Sequence, residues 1–105
     1  MTPEGKVKKE VTKYLTERGH FWLSHNTMGV FDARTGKYRT SPYLHRGESD
    51  LMVCPKGRLE FIFVELKAKG GKLSPDQCIF RERVQSLGFE YVVVRSKDDC
   101  KKLGL

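Results

Sequence analysis

Two acidic residues and a lysine stand at a spacing that could form a hydrolytic metal site. Asp50 enters one apolar segment, and Glu65 and Lys67 flank Leu66 at the end of the next, with a turn at residues 55–57 between them. Two carboxylates side by side repel each other unless a divalent cation lies between them. Oxygen ligands of this kind suit Mg²⁺ or Mn²⁺, which keep several waters and share their remaining positions with phosphate oxygens. The pattern therefore indicates a metal-dependent phosphodiesterase.

Each member of this set has a chemical role. Asp50 and Glu65 would hold the cation, which shields the scissile phosphate and activates a water. Lys67 would orient that water or stabilise the charge that develops on the phosphorane. The alternatives are a turn carboxylate for Asp50 and a surface ion pair for Glu65 and Lys67. An acid that ends so apolar a run seldom stays there without a partner, which favours the functional interpretation.

Strand register decides whether the two acids can meet. With a two-residue turn at residues 56–57, Glu65 falls opposite Glu48, and Asp50 lies on the same face of the sheet as Glu65. Lys67 shares that face, because side chains alternate along a strand. A three-residue turn would put the acids on opposite faces and destroy the site. The sequence permits the productive register and leaves the other open.

Caps and apolar spacing predict the elements that would carry these residues. The three expected helices are bounded by Thr2 and Gly19, by Ser74 and Gly88, and by Ser96 and Leu103. Strands are expected at residues 20–23, 50–54, 59–66 and 91–94, with a long loop and a loose hairpin across residues 24–46. The order helix, strand, strand, strand, helix, strand, helix predicts an α/β fold with a mixed central sheet flanked by helices.

Length and charge narrow the class of partner. The 105 residues are expected to form one domain over 1–105, with no room for a separate recognition domain. Twenty Lys and Arg against thirteen Asp and Glu give a net charge of +7, which favours a polyanion. A basic surface that binds nothing is the alternative. A nucleic-acid enzyme of this size is expected to form a homodimer, which would let it contact a longer stretch of its substrate.

The spacing of the cysteines and the hydropathy of the chain indicate the cellular compartment in which the protein is expected. Cys54, Cys78 and Cys100 form no CxxC or CxxH pair, which indicates reduced thiols in an intracellular protein and excludes a structural zinc site. No apolar run follows Met1, and no segment approaches membrane-spanning length. The expectation is a soluble, cytoplasmic chain without membrane contact.

Five segments in chain order resemble the PD-(D/E)XK nuclease superfamily, and in their details its VRR-NUC branch. They are PEGKV (3–7), RGESD (46–50), VELKA (64–68), GKLSPDQ (71–77) and VVVRS (92–96). An ExK motif alone occurs by chance in many proteins, whereas this order, with Gln77 ten residues after Lys67, is specific. The resemblance covers most of the chain, with its gap mainly at residues 24–44. It implies a restriction-endonuclease-like core (α-β-β-β-α-β-α) and Mg²⁺- or Mn²⁺-dependent DNA hydrolysis with no organic cofactor.

The resemblance also implies that Glu4 and Gln77 point into the metal site. Both residues have simpler explanations, because Gln77 fits a capping box with Ser74 and Glu4 stabilises the positive end of a helix. Glu10 is a rival for the helix-borne acid.

For the cation itself we expect Asp50, Glu65 and Gln77 to converge on one ion. The backbone carbonyl of Leu66 is expected as a further oxygen ligand.

Stand-alone chains that resemble this one are associated with four-way (Holliday) junctions and other branched DNA, and often come from phages. The residues expected to contact DNA are Arg34, Lys37, Arg39, Arg46, Lys69 and Lys72, although a solvated loop is the alternative for each. An apolar patch of Phe31, Tyr38, Tyr43 and Leu44 is expected to form the homodimer contact. A flap or duplex-nicking nuclease and a catalytically silent DNA-binding module remain alternatives.

Overall fold

The computed structural model describes residues 1–24, 30–39 and 46–105, and of residues 30, 31, 38 and 39 the backbone alone. In chain order the elements are α1 (Pro3–Glu17), β1 (Phe21–Ser24), β2 (Val30–Asp32), β3 (Lys37–Arg39), β4 (Leu51–Cys54), β5 (Ile62–Leu66), α2 (Pro75–Ser86), β6 (Glu90–Val94) and α3 (Lys97–Lys102). None of the helices in the described residues is long and apolar enough to cross a membrane.

Four strands form the central sheet in the order β1-β4-β5-β6. β1 and β5 both pair antiparallel to β4, whereas β6 runs parallel to β5 after the crossover through α2. β2 and β3 form a separate antiparallel hairpin within the segment where a loose hairpin was expected. The predicted α/β class with a mixed sheet is therefore confirmed.

Local capping chemistry explains where α1 begins and ends. The Thr2 side chain accepts a hydrogen bond from the Gly5 N–H at 3.0 Å, and Pro3 occupies the first turn, where no donor is needed. Val11 and Leu15, one turn apart, are fully buried and fix the inner face of the helix. Gly19 takes a φ of 82°, which lets the chain leave the helix and enter β1.

The sheet has one apolar core on each face. The core under α1 and α3 contains Val11, Leu15, Leu51, Val53, Ile62, Val64, Leu66, Val94, Cys100 and Leu105. The opposite core, under α2, contains Phe63, Val84 and Tyr91. All five residues of β5 are buried, as is typical of a central strand that is covered on both faces. α2 uses Phe80 and Val84 as its inner face, whereas Leu87 at its C-terminal end is 70% exposed.

The register of β4 and β5 differs from the one derived from a two-residue turn. Leu51 pairs with Val64 and Val53 with Ile62, so the register is shifted by two residues, and residues 55–61 form a longer connection in place of a tight hairpin. The prediction that Glu65 faces Glu48 was therefore wrong. A shift of two leaves every side chain on its predicted face, because the side-chain period of a strand is two.

Candidate active site

Asp50 and Glu65 meet at one end of the sheet. Asp50 precedes Leu51 and Glu65 follows Val64, so the observed pairing of Leu51 with Val64 sets the two acids opposite each other. Glu65 is 1% exposed, and the Asp50 carboxyl is close enough to share a hydrogen bond with it. Asp50 is tied to β5, since its Oδ2 accepts a hydrogen bond from the Leu66 N–H at 2.8 Å.

The environment of Glu65 disfavours its negative charge. Burial, followed by the hydrogen bond and the charge of Asp50, raises the pKa of Glu65 from 4.5 to about 9, although Lys67 opposes the shift. In the metal-free protein this carboxyl therefore holds a proton at neutral pH. A buried carboxyl pair that needs one positive charge between its members is suited to exchange that proton for a divalent cation.

Gln77 serves two purposes at once. Its amide oxygen accepts a hydrogen bond from the Ser74 N–H at 2.8 Å, and the Ser74 hydroxyl accepts one from the Gln77 N–H, which completes a capping box. The same side chain donates from Nε2 to the two oxygens of Glu65 at 3.3 and 3.5 Å. Gln77 thus completes the cap and also contacts Glu65, two positions that the sequence analysis treated as alternatives. The amide presents a donor to Glu65, while its oxygen is engaged by the cap.

Lys67 and Glu4 face each other across the site. The Lys67 Nζ lies 3.8 Å from Glu4 Oε1, with 14% of the lysine side chain and 53% of the glutamate side chain exposed. Glu10 lies elsewhere, because its Oε2 accepts a hydrogen bond from the Lys97 N–H at the start of α3. Of the two rival acids on α1, Glu4 is the one that contacts a predicted site residue.

The segment before β4 packs directly on the first turn of α2. Gly47 has a φ of 73°, and a Cβ at this position would lie 2.1 Å from the Asp76 carbonyl oxygen and 2.6 Å from the Gln77 nitrogen. No side chain fits in that space. Gly47 thus permits the close approach that sets Gln77 beside Glu65, a contact that sequence reasoning missed.

Two cavities are lined in part by Thr2 and Glu4. One, of about 210 Å³, is lined by Thr2, Glu4, Gly5, Lys8, Asp50 and Leu66. The other, of about 370 Å³, is lined by Thr2, Pro3, Glu4, Lys67, Ala68, Gly71 and Lys72. Lys8 was not predicted as a site residue, although its position one turn after Glu4 in the sequence signals that both share a face of the helix.

The residues expected to contact DNA are dispersed. Lys72 lines the larger cavity, and Lys69 is exposed in the same loop. Arg46 is exposed immediately before Gly47, and Lys37 is exposed on the β2–β3 hairpin. Arg34 is exposed in the turn of that hairpin, with its Nε 3.6 Å from Asp32 Oδ1.

The side chains of Arg39, Phe31 and Tyr38 lie outside the described residues, as do Tyr43 and Leu44. The dimer patch expected from these apolar residues is therefore not described.

The donor set suits a hard cation that keeps much of its water. Within residues 1–24, 30–39 and 46–105, no three His, Cys, Asp or Glu side chains come together to hold a metal ion. Glu4, Asp50 and Leu66 line the smaller cavity, and the Glu65 carboxyl lies beside that of Asp50, so carboxylate oxygens are the main donors available there. One or two carboxylates, with water and substrate phosphate completing the shell, is the usual manner of binding Mg²⁺.

Comparison with known proteins agrees with this geometry. The VRR-NUC domain family matches residues 30–98. A solved structure described as a VRR-NUC domain superposes with a TM-score of 0.67 at 28% identity, covering 98% of this chain and 95% of the other. No curated protein matches the chain.

Proposed function

Since this chain belongs to the VRR-NUC domain family, a nuclease family, we propose that it is a divalent-metal-dependent endonuclease that hydrolyses DNA phosphodiester bonds. The proposal takes residues 1–105 as one nuclease domain. The observation that carries it is the buried Asp50–Glu65 pair, whose proton a cation can replace, beside the ammonium of Lys67. Perturbed carboxyls next to a cationic side chain are typical of catalytic sites.

In this proposal Asp50, Glu65 and the Leu66 carbonyl hold Mg²⁺ or Mn²⁺. The bound cation would stabilise negative charge on the scissile phosphate and favour deprotonation of the attacking water. The protein contributes rigidity, because the Leu66 N–H fixes one Asp50 oxygen and the Gln77 amide fixes the Glu65 carboxyl. Groups that orient metal ligands in this way preserve affinity and activity.

Lys67 acts on the reacting atoms. Its ammonium would hold the attacking water or stabilise charge on the phosphate oxygens as the new bond forms. Glu4, at 3.8 Å, restrains the lysine side chain. With a largely buried stem and a fixed partner, the lysine needs little reorganisation before reaction.

We further propose that the substrate is branched DNA, such as a four-way junction, and that the chain acts as a homodimer. Support comes from the net charge of +7, which favours a polyanionic partner. Two linked sites would suit the paired incisions that a junction needs. Sedimentation with and without DNA tests the dimer, and a strict 12.1 kDa monomer in both would contradict it.

The test of the proposed function compares labelled junction, flap and duplex DNA, each incubated with Mg²⁺, Mn²⁺ or EDTA. Wild-type protein should cut in Mg²⁺ or Mn²⁺ and not in EDTA, with the junction cut fastest. Asp50→Asn, which keeps the shape and loses the charge, should bind and not cut. Binding without cleavage by the wild type would identify a silent DNA-binding module. Faster cutting of flap or duplex would reassign the substrate.

A further inference from the structure

Lys8 lies in the active-site cleft with its charge available to an anion. It follows Glu4 by one turn on α1, is half-buried, and lines the same cavity as Asp50. Its Nζ donates a 2.7 Å hydrogen bond to the hydroxyl of Ser24 at the end of β1. Among the described residues no carboxylate forms an ion pair with it. A cation held by a neutral hydroxyl is positioned without being neutralised.

The larger cavity, which Glu4 also lines, offers a second cation. Lys72 lines it together with Lys67 and follows directly on Gly71. The loop that carries these residues is anchored, because Arg95 Nη1 donates to the Ala68 carbonyl at 2.8 Å and the Gly71 N–H donates to the same oxygen at 3.0 Å. Lys72 is therefore presented from a loop whose base is fixed.

The two cavities share Thr2 and Glu4 in their linings, and each contains one site residue and one lysine: Asp50 with Lys8 in the first, and Lys67 with Lys72 in the second. A DNA strand carries its phosphates as a regular row of single charges, which suits cations spaced along one line. A single phosphate or a nucleotide would engage one cavity and leave the other empty. The arrangement fits a polyanion that runs through both.

We propose that Lys8 and Lys72 bind two phosphates of the cleaved strand, one on each side of the scissile phosphate. The strand then crosses the N-terminal turn of α1 with its scissile group at Asp50 and Lys67. This inference rests on the proposed nuclease function and adds a path for the strand. It assigns to Lys8 and Ser24 a role in positioning substrate.

A phosphate-by-phosphate scan tests the path. The scissile bond is first mapped with wild-type protein in Mg²⁺. DNAs are then made with one neutral methylphosphonate at each position around it, and dissociation constants are measured in Ca²⁺ in place of Mg²⁺, with gels to verify that the DNA stays intact. The wild type should bind more weakly when the neutral group replaces one particular phosphate on either side of the scissile bond.

Lys8→Ala should bind unmodified DNA more weakly than the wild type does. It should lose no further affinity when the phosphate that Lys8 contacts in the wild type is replaced by a methylphosphonate. Lys72→Ala should behave in the same way at a phosphate on the opposite side. Each should lower the slope of log K against log salt by about 0.9 for a duplex substrate. Lys9→Ala, the same charge change at the next, exposed position of α1, should keep the wild-type pattern.

The proposed path would be overturned if Lys8→Ala gave the same affinity losses along the DNA as the wild type. It would also be overturned if Lys8→Ala and Lys72→Ala became insensitive to neutralisation of the same phosphate. Ser24→Ala covers the case in which Lys8 merely ties α1 to β1. If that were its role, both variants would lower the melting temperature alike and leave the scan unchanged. Absence of any cleavage by the wild type would instead overturn the nuclease function, and the two failures are distinguishable.

Discussion

Gln77 donates from its amide nitrogen to Glu65 at 3.3 Å, while its amide oxygen closes the capping box of α2. One side chain thus links the start of a helix to the buried carboxyl of the candidate active site. The link makes helix stability and site geometry depend on the same residue. It also means that the two roles can be separated by chemistry, since each uses a different atom of the amide.

Gln77→Glu should separate these roles. A glutamate at this position still accepts from the Ser74 N–H, so α2 should stay capped, but it has no donor for Glu65 and adds a third carboxylate. Activity should fall by about 10–100-fold, as is usual when a group that orients a metal ligand is lost. Gln77→Ala should lose activity and also about 0.5–1.5 kcal/mol of stability, because the hydrogen bond from the Ser74 N–H to the amide oxygen is lost. Thermal melts and cleavage rates of both variants measure the two effects. Equal losses of stability in the two variants would contradict the separation of the two roles.

Glu65→Gln should make the metal-free protein more stable at alkaline pH. The pKa of Glu65 is about 9 in the folded state against an ordinary 4.5, so the folded state binds this proton more tightly than the unfolded state does. The resulting contribution to the free energy of unfolding is complete below pH 4.5 and is lost as pH rises through 9. Wild type in EDTA should therefore weaken relative to Glu65→Gln between pH 5 and pH 9, while the variant is inactive. Urea denaturation at the two pH values measures the difference. Glu60→Gln, at an exposed position, is the control and should show no such trend.

Gly47→Ala should disturb the site from a distance. The added methyl would overlap the backbone of Asp76 and Gln77, so the segment at Gly47 and the first turn of α2 must move apart, which would disturb the contact between Gln77 and Glu65. Gly57→Ala is a matched control, because Gly57 also has a positive φ, 81°, but a methyl there would meet no atom of the described residues within 4 Å. The control should lose about 1–2 kcal/mol through φ strain alone. Gly47→Ala should lose about 1–3 kcal/mol more, together with cleavage, and equal losses would contradict the packing role.

Local chemistry in the sequence predicted most of the elements. Thr2 and Ser74 begin helices because their side chains accept from backbone donors three residues ahead, an interaction that needs no tertiary context. The sheet face shared by Asp50 and Glu65 was also predictable. A period of two makes the face insensitive to a register error of two, and the longer connection at residues 55–61 produced such an error.

Long-range packing decided what the sequence did not reveal. Lys8 belongs to a basic helix face, but whether that face meets solvent or the site depends on how α1 crosses the sheet. The approach of Gly47 to α2 likewise joins segments almost thirty residues apart in the chain. Neither follows from periodicity, since both depend on the relative placement of elements.

Lys67→Ala should abolish cleavage while DNA binding stays nearly intact. Binding relies on many dispersed cations, whereas the transition state relies on this one positioned ammonium, which lies 3.8 Å from Glu4 in the largely buried site. Loss of such a group typically lowers the rate by about 10²–10³-fold. Lys69→Ala, two residues along in the exposed loop, is the comparison and should weaken binding slightly with little change in the rate of bound substrate. Single-turnover rates at saturating protein, together with dissociation constants, distinguish the two effects. Wild-type turnover by Lys67→Ala in Mg²⁺ would mean that the lysine is a structural partner of Glu4 and takes no part in the chemistry.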